Sequence, residues 1–381
     1  MPSLNGDAEP DTNFILRHDS WQDPEYILQD TVSLFGVSRD GEEISFVQVK
    51  EGVDVYSSRH GPFLYISQYN LATHIITIST DAFLKFTESL GSPKVKLIFV
   101  ANTGRCGSTL LAQMFENLSG LKVLSEPHSI LTLLLLYNRG IITEERYRLL
   151  TYSILKTLVT FKDESIHTIV IKPVFKCTPQ IKMFSQMFPG SKIIFLYRNI
   201  KDNVDSFMRV MISFSRYAFL FAGKDEMLGY WINDLPLPSP ANQYRWAKDP
   251  ALLNGLTLAS AIGFNWCCTV ACIKTFIQEG LDVLHMDYKE LVSKHEESWK
   301  VLATFSQLPQ TTEGKPLEAY NKDSQAGAFL SRGVLSTARI KKKEQAIIDL
   351  EIQKLLTAFN LLRPVQEELE SIRGVLDKEN D

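Results

Sequence analysis

Two stretches of this chain place phosphate-binding chemistry at the end of an apolar run. The first is Asn102-Thr-Gly-Arg-Cys-Gly-Ser-Thr-Leu-Leu111, which follows Leu97-Ile-Phe-Val-Ala101. Gly104 and Gly107 let the backbone curl so that successive N–H groups point into one concavity. A helix opening at Ser108 and Thr109 adds unpaired N–H groups and partial positive charge. Arg105 adds a full charge on a fork of donors. The set suits a phosphate or a phosphosulfate, although a plain strand–turn–helix uses glycines in the same way. The loop differs from the triphosphatase form GxxxxGK[ST]: no lysine precedes Ser108 and the glycines are closer together. That weakens an ATP-dependent reading, because the missing lysine is the group that reaches the terminal phosphates.

The second stretch is Lys192-Ile-Ile-Phe-Leu-Tyr197, followed by Arg198-Asn199. Ile200, Val204, Phe207, Met208 and Met211 then share one helical face, with Asn199 fitted to cap the helix and Asp202 three residues on. Arg198 leaves the strand at its carboxyl end and Ser206 lies two turns into the helix. Such a pair can grip a further phosphate, or can be a surface arginine and a solvated serine.

These residues need a scaffold that brings strand ends together. From about residue 94, short apolar runs alternate with helical patterns: Val95 to Ala101, Leu121 to Ser125, Thr168 to Ile171, Lys192 to Tyr197 and Leu281 to Met286. Runs apolar on both faces fit a parallel sheet flanked by helices, whose ligands sit at the carboxyl ends of the strands. The predicted fold is therefore α/β with a small β-rich N-terminal extension. Residues 1–25 read as a flexible tail and 26–92 as a small β-rich module with strand patterns at Ile44 to Val49, Phe63 to Ile66 and Ile75 to Ile78. Residues 93–381 read as one phosphate-loop domain. It ends in helices, with Ile348, Ile352, Leu355, Phe359 and Leu362 at spacings of four and three.

Composition narrows the partners. The 381 residues are 45% hydrophobic and 22% charged, which excludes disordered, collagen-like and coiled-coil descriptions of the whole chain. Forty basic against 44 acidic residues leave a net charge of −4, so nucleic acid is not the expected partner. No continuous apolar run reaches the ~20 residues of a membrane span, and Met1 to Asn13 lack an export pattern. The expectation is a soluble, cytoplasmic protein without a transmembrane anchor. The five cysteines (Cys106, Cys177, Cys267, Cys268, Cys272) are odd in number and sparse, so core thiols are expected rather than a disulfide framework or a zinc site.

Together, and in this order, the two stretches resemble the sulfotransferases that use 3′-phosphoadenosine 5′-phosphosulfate (PAPS). That family carries a loop of the type P-[KR]-x-G-[ST]-T after its first strand. Its second motif is a strand ending in Arg, then a helix with Ser eight residues on. Thr103-Gly-Arg-Cys-Gly-Ser-Thr-Leu-Leu111 and Tyr197-Arg-Asn-Ile-Lys-Asp-Asn-Val-Asp-Ser206 match those motifs, and the resemblance covers roughly 94 to 335. Gly-Ser-Thr-Leu-Leu and Ser125-Glu-Pro127 are closer to the carbohydrate and protein-tyrosine branches than to the small-molecule cytosolic branch. The resemblance implies that Arg105, Cys106, Gly107, Ser108 and Thr109 hold the 5′-phosphosulfate and that Arg198 and Ser206 hold the 3′-phosphate. Phe329-Leu-Ser-Arg-Gly333 resembles the family's terminal Arg-Lys-Gly segment, which adds Arg332. Gly104 stands where the family often has proline, which predicts a looser loop entry.

Sulfuryl transfer needs a base for the acceptor's proton and donors for the bridging oxygen. Glu126, after the second strand, is the candidate base, as the carbohydrate and tyrosine branches imply; His128 is the alternative. The small-molecule branch has a histidine after its third strand, where this chain reads Ile171-Lys-Pro-Val-Phe175. Lys172 there, with Arg105, would stabilise the leaving oxygen. PAPS is the implied co-substrate, with no metal required, and a small-molecule or carbohydrate acceptor. A small-molecule kinase and a non-catalytic nucleotide binder are the competing readings. Asp287-Tyr-Lys-Glu-Leu291 resembles the family's architectural Tyr-Glu-Asp-Leu turn. Trp246 and Trp266 are candidate adenine or acceptor contacts, with core packing favoured for Trp266.

Overall fold

The computed structural model describes residues 14–214, 257–308, 315–326, 331, 333, 338–361 and 363–370. The chain first builds an antiparallel sheet from β1 (Val32–Val37), β2 (Glu43–Gln48) and β3 (His74–Ser79), in that order. Its residues are rich in valine, isoleucine and phenylalanine, which suit a pleated surface. All of β1 is buried because both its faces are covered. One face meets Val47, Val49, Val55 and Leu64 through Phe35. The other shares a cluster with Leu131, Leu134 and Leu150.

Phe63 to Ile66 is not a strand. Helix α1 (Leu64–Leu71) begins there. A four-residue apolar run does not distinguish the two states, and the deciding contact is distant. The buried Gln68 side chain donates to Ser33 Oγ and to the Leu34 carbonyl, both at 2.9 Å, which only a helical turn at this position permits. Helix α2 (Thr80–Ser89) then leads to the second sheet.

All five apolar runs of the second sheet are strands: β4 (Lys96–Asn102), β5 (Leu121–Ser125), β6 (Thr168–Lys172), β7 (Lys192–Tyr197) and β8 (Val283–Asp287). They pair in parallel in the order β5-β6-β4-β7-β8. From β4 the chain thus crosses to β5 at one edge, returns through β6 between them, and then builds β7 and β8 on the other side. The loop after β4 sits where the direction reverses, the place where open parallel sheets take ligands. The register brings Ser125 beside Lys172, Asn102 beside Leu196 and Tyr197 beside Asp287. Neighbouring strands lie about 4.8 Å apart, so these strand ends form one continuous row.

Helices cover both faces, as the two-faced apolar runs require. On one side α3 (Ser108–Glu116) packs with Trp299 and Leu302 of α10 (His295–Phe305). On the other lie α4 (His128–Asn138), α5 (Glu144–Leu158), α6 (Ile181–Met187), α7 (Ile200–Phe214) and α8 (Leu258–Gln278). The short α9 (Tyr288–Ser293) follows β8, and α11 (Lys342–Ala358) packs on α8 through Leu355 and Gly263. The expectation that no segment has the length of a membrane span is corrected by α8. Its 21 residues are long and apolar enough to cross a bilayer, and Asn265 and Thr269 interrupt the run without changing its balance. In this fold 89% of its most apolar stretch is buried, as expected of a helix enclosed on all sides. The five cysteines are free and buried.

Candidate active site

The loop between β4 and α3 is tied down from three directions. Asn102 Oδ1 accepts from the Gly104 N–H at 3.0 Å, and Thr178 Oγ1 brackets the Asn102 backbone with two bonds of 2.9 Å. From α7, Asn203 Nδ2 donates to the carbonyls of Gly104 (2.7 Å) and Thr103 (3.3 Å). These bonds fix the loop's backbone from both of its neighbours, Asn102 before it and α7 beside it. Gly104, Arg105 and Gly107 have φ of 70°, 50° and 83°. A Cβ at Gly104 would lie 2.7 Å from Phe207, and one at Gly107 would lie 2.9 Å from the Tyr288 ring. The expected looseness at Gly104 is therefore corrected: proline cannot reach that φ, and glycine here makes a closely packed entry. Ser108 and Thr109 form the buried first turn of α3. Cys106 points into the core, where burial pushes its thiol up, so only its backbone is available to a ligand.

Both arginines converge on this loop. Arg105 Nε donates to Ser206 Oγ at 3.0 Å and its Nη1 to Gln325 Oε1 at 2.6 Å. Arg198 Nη1 donates to the Arg105 carbonyl at 3.4 Å, its guanidinium lies 4.7 Å from the Tyr288 ring centroid, and its own carbonyl accepts from Trp266 Nε1 at 2.8 Å. Burial, and next the charge of Arg198, push the Arg105 guanidinium down to about 10, with Asp323 opposing only weakly. Among the described residues neither arginine is ion-paired to a carboxylate. Arg198 Nε, Thr103 Oγ1 and Asn203 Oδ1 are buried without a hydrogen-bond partner. Cations and donors left unsatisfied in a half-buried corner are costly unless an anion completes them.

Two strands away, Glu126 follows β5 with the left-handed φ of 54°. Its N–H donates to the Lys172 carbonyl at 2.7 Å, which continues the β5–β6 ladder one residue past the strand. Lys172 ends β6, its side chain 1% exposed, and its Nζ is paired with Glu126 Oε1. The Glu126 side chain keeps 19% exposure, so this carboxylate faces both the buried ammonium and the solvent. His128, the first residue of α4, is buried with its ring 5.5 Å from that of Tyr65 and Nδ1 3.5 Å from Thr132 Oγ1.

The structure thus assembles Arg105, Arg198 and Ser206 at the ends of β4 and β7, and Glu126 with Lys172 at the ends of β5 and β6. Arg332 and Trp246 lie outside the described residues. Trp266 is core packing that also holds the Arg198 backbone. Sequence reasoning missed Gln325, Asn203 and Phe63. Asn203 had a signal: it precedes Ser206 by three residues and so shares its helical face. Tyr288 does more than turn the chain, since it packs against both Gly107 and Arg198.

The sequence matches no family model and no curated protein. Solved structures do match. A sulfotransferase from Alicyclobacillus acidocaldarius is 11% identical, with 73% of this chain and 99% of that one covered at a TM-score of 0.38. Sulfotransferase STF1 from Mycobacterium tuberculosis H37Rv is 11% identical, with 74% and 81% covered at 0.42. Mouse sulfotransferase SULT7A1, in complex with PAP, is 14% identical, with 78% and 97% covered at 0.36.

Proposed function

We propose that this chain is a sulfotransferase that moves a sulfo group from PAPS to an acceptor hydroxyl, or to an amine. The observation that carries the reading is the shared corner of Arg105 and Arg198: two guanidiniums with no ion-paired carboxylate among the described residues, a serine hydroxyl, and the glycine loop that opens α3. A ligand with two anionic ends fits it better than a single phosphate does. The residues present fit the 3′-phosphate at Arg198 and Ser206 and the 5′-phosphosulfate over Gly107, Ser108 and Thr109. Because Arg105 reaches Ser206, its guanidinium spans the two positions.

The chemistry follows from the row of strand ends. The acceptor oxygen forms a bond to sulfur while the bond from sulfur to the bridging phosphate oxygen breaks, leaving adenosine 3′,5′-bisphosphate. The acceptor's proton passes to the Glu126 carboxylate, which stays 19% exposed at the end of β5. As Glu126 gains that proton it no longer matches the charge of Lys172, and the ammonium becomes available to the leaving oxygen, which becomes more negative at the same moment. One ion pair can thus couple proton removal to leaving-group stabilisation. A non-catalytic nucleotide binder has no use for a buried lysine held against a carboxylate at this place. The finer assignment to the carbohydrate and protein-tyrosine branches rests on Ser125-Glu-Pro127 and is part of the proposal.

Calorimetric titration with adenosine 3′,5′-bisphosphate and with ATP, followed by transfer of radiolabelled sulfo groups from PAPS to a panel of sugars, phenols, steroids and peptides, tests the reading. Binding of the bisphosphate and label on one acceptor class are expected. Tight ATP binding with no bisphosphate binding overturns it.

A further inference from the structure

The N-terminal module reaches the candidate active site through one strap, residues 53–63. Asp54 pairs with Lys122 at the amino end of β5 (3.1 Å). Ser57 Oγ (3.2 Å) and the Ser58 N–H (2.9 Å) donate to Glu116 Oε1 at the end of α3. At the carboxyl end of β5, Ser125 Oγ donates to the Pro62 carbonyl at 3.0 Å. One residue later the Phe63 ring lies over Lys172, with Nζ 5.0 Å from the ring centroid. The strap therefore follows β5 along its whole length and ends on the lysine that pairs with Glu126.

Phe63 cannot drift from this place. Its carbonyl accepts from Ile66 N (3.1 Å) and Ser67 N (3.3 Å) at the start of α1, and α1 is pinned to β1 through Gln68. The ring is 3% exposed and stacks on Tyr65 at 5.9 Å with planes 7° apart. A lysine has four rotatable bonds and a compact charge that seeks acceptors on every side. Here Glu126 takes one side of the ammonium and the face of an aromatic ring covers another. A desolvated ring face attracts a cation measurably, and a leucine of similar bulk does not.

Resting on the sulfotransferase reading, we propose that Phe63 is a positioning residue: its ring holds the Lys172 ammonium against Glu126, so the N-terminal module sets the rate of group transfer. The module is then part of the working site rather than an attachment to it.

The test compares F63L and F63Y in the full chain. F63L is expected to lower kcat about tenfold while bisphosphate affinity and donor KM stay within about twofold of the parent. F63Y, which restores the ring, is expected to return kcat to within about twofold of the parent. Independently of turnover, acylation of Lys172 by an amine reagent, followed by mass spectrometry, should be faster in F63L than in the parent or in F63Y. Should F63L not fold, F63M supplies an unbranched apolar replacement for the same comparison. The proposal is overturned if the folded aliphatic variant keeps parental kcat, if F63Y loses as much as F63L, or if Lys172 labels at one rate in all three. A parent protein that transfers no sulfo group to any acceptor would sink the sulfotransferase reading, and the labelling rates would still decide whether Phe63 confines Lys172.

Discussion

Arg105, in the loop after β4, and Ser206, two turns into α7, are joined by a hydrogen bond of 3.0 Å from Nε to Oγ. The two stretches proposed to hold phosphates therefore already meet in this structure. Bringing these two residues together therefore adds no ordering cost to the binding proposed for this corner.

Ser206 should matter for one phosphate only. In S206A, affinity for adenosine 3′,5′-bisphosphate is expected to fall about tenfold, the scale of one hydrogen bond to a charged group. Affinity for adenosine 5′-phosphosulfate, which lacks the 3′-phosphate, should move less than about twofold. Equal losses for both ligands, read by calorimetry, would mean that the serine supports the loop as a whole.

Arg105 should cost the unliganded protein stability. The guanidinium of Arg105 sits at about 10 against an unfolded value of 12.5, so the unfolded chain binds its proton more tightly. The mismatch opposes folding at every pH below about 10 and fades as pH rises from there toward the unfolded value. R105Q is therefore expected to melt higher than the parent at pH 7, on the order of 2 °C. Bisphosphate should raise the melting temperature of the parent and leave R105Q nearly unmoved. A destabilised R105Q, measured by thermal shift, would show that the side chain serves packing instead.

Glu126 should separate chemistry from binding. E126Q is expected to lower turnover by a factor of roughly 10²–10⁴, the usual contribution of a positioned base, with bisphosphate affinity unchanged. H128Q, whose ring is buried against Tyr65, is expected to keep most of its activity. The reverse pattern in steady-state kinetics would transfer the base role to His128.

Gly104 should tolerate nothing larger. G104A places a Cβ 2.7 Å from Phe207 on a backbone at φ 70°, so both packing and conformation oppose it. An unfolding cost of about 2–4 kcal/mol is expected from urea titration, since left-handed strain alone costs about 1–3 kcal/mol and the clash adds to it. A cost near zero would show that α7 can move away, and that the loop is less confined than its contacts imply.

Much of this site was legible before the fold was known, and the pattern of success has a physical cause. The strands of the parallel sheet showed themselves because each is a short apolar run bounded by polar residues. The loop, Arg198 and Ser206 followed, because a strand end and a helix start fix local geometry. What needed the fold was anything that depends on strand order. Glu126 and Lys172 could each be suspected, but their pairing exists because β5 lies beside β6. Gln325 meets Arg105 across the whole length of the domain and carries no local signal. Phe63 was read into a strand because four apolar residues leave the period undecided, and with that the N-terminal module lost its visible connection to the site.

The course of the 53–63 strap also bears on how this protein can fail. β5 is an outermost strand, paired on one side only, and parallel edges invite pairing with other chains. Asp54, Ser57, Ser58 and Pro62 anchor the strap beside that edge through a few polar contacts, exposed at Asp54 and partly buried at the others. A single proteolytic nick there would release the cover from the edge, while α1 and Gln68 still hold the Phe63 ring over Lys172. Aggregation would then begin before inactivation, visible as light scattering that rises ahead of lost turnover during limited digestion.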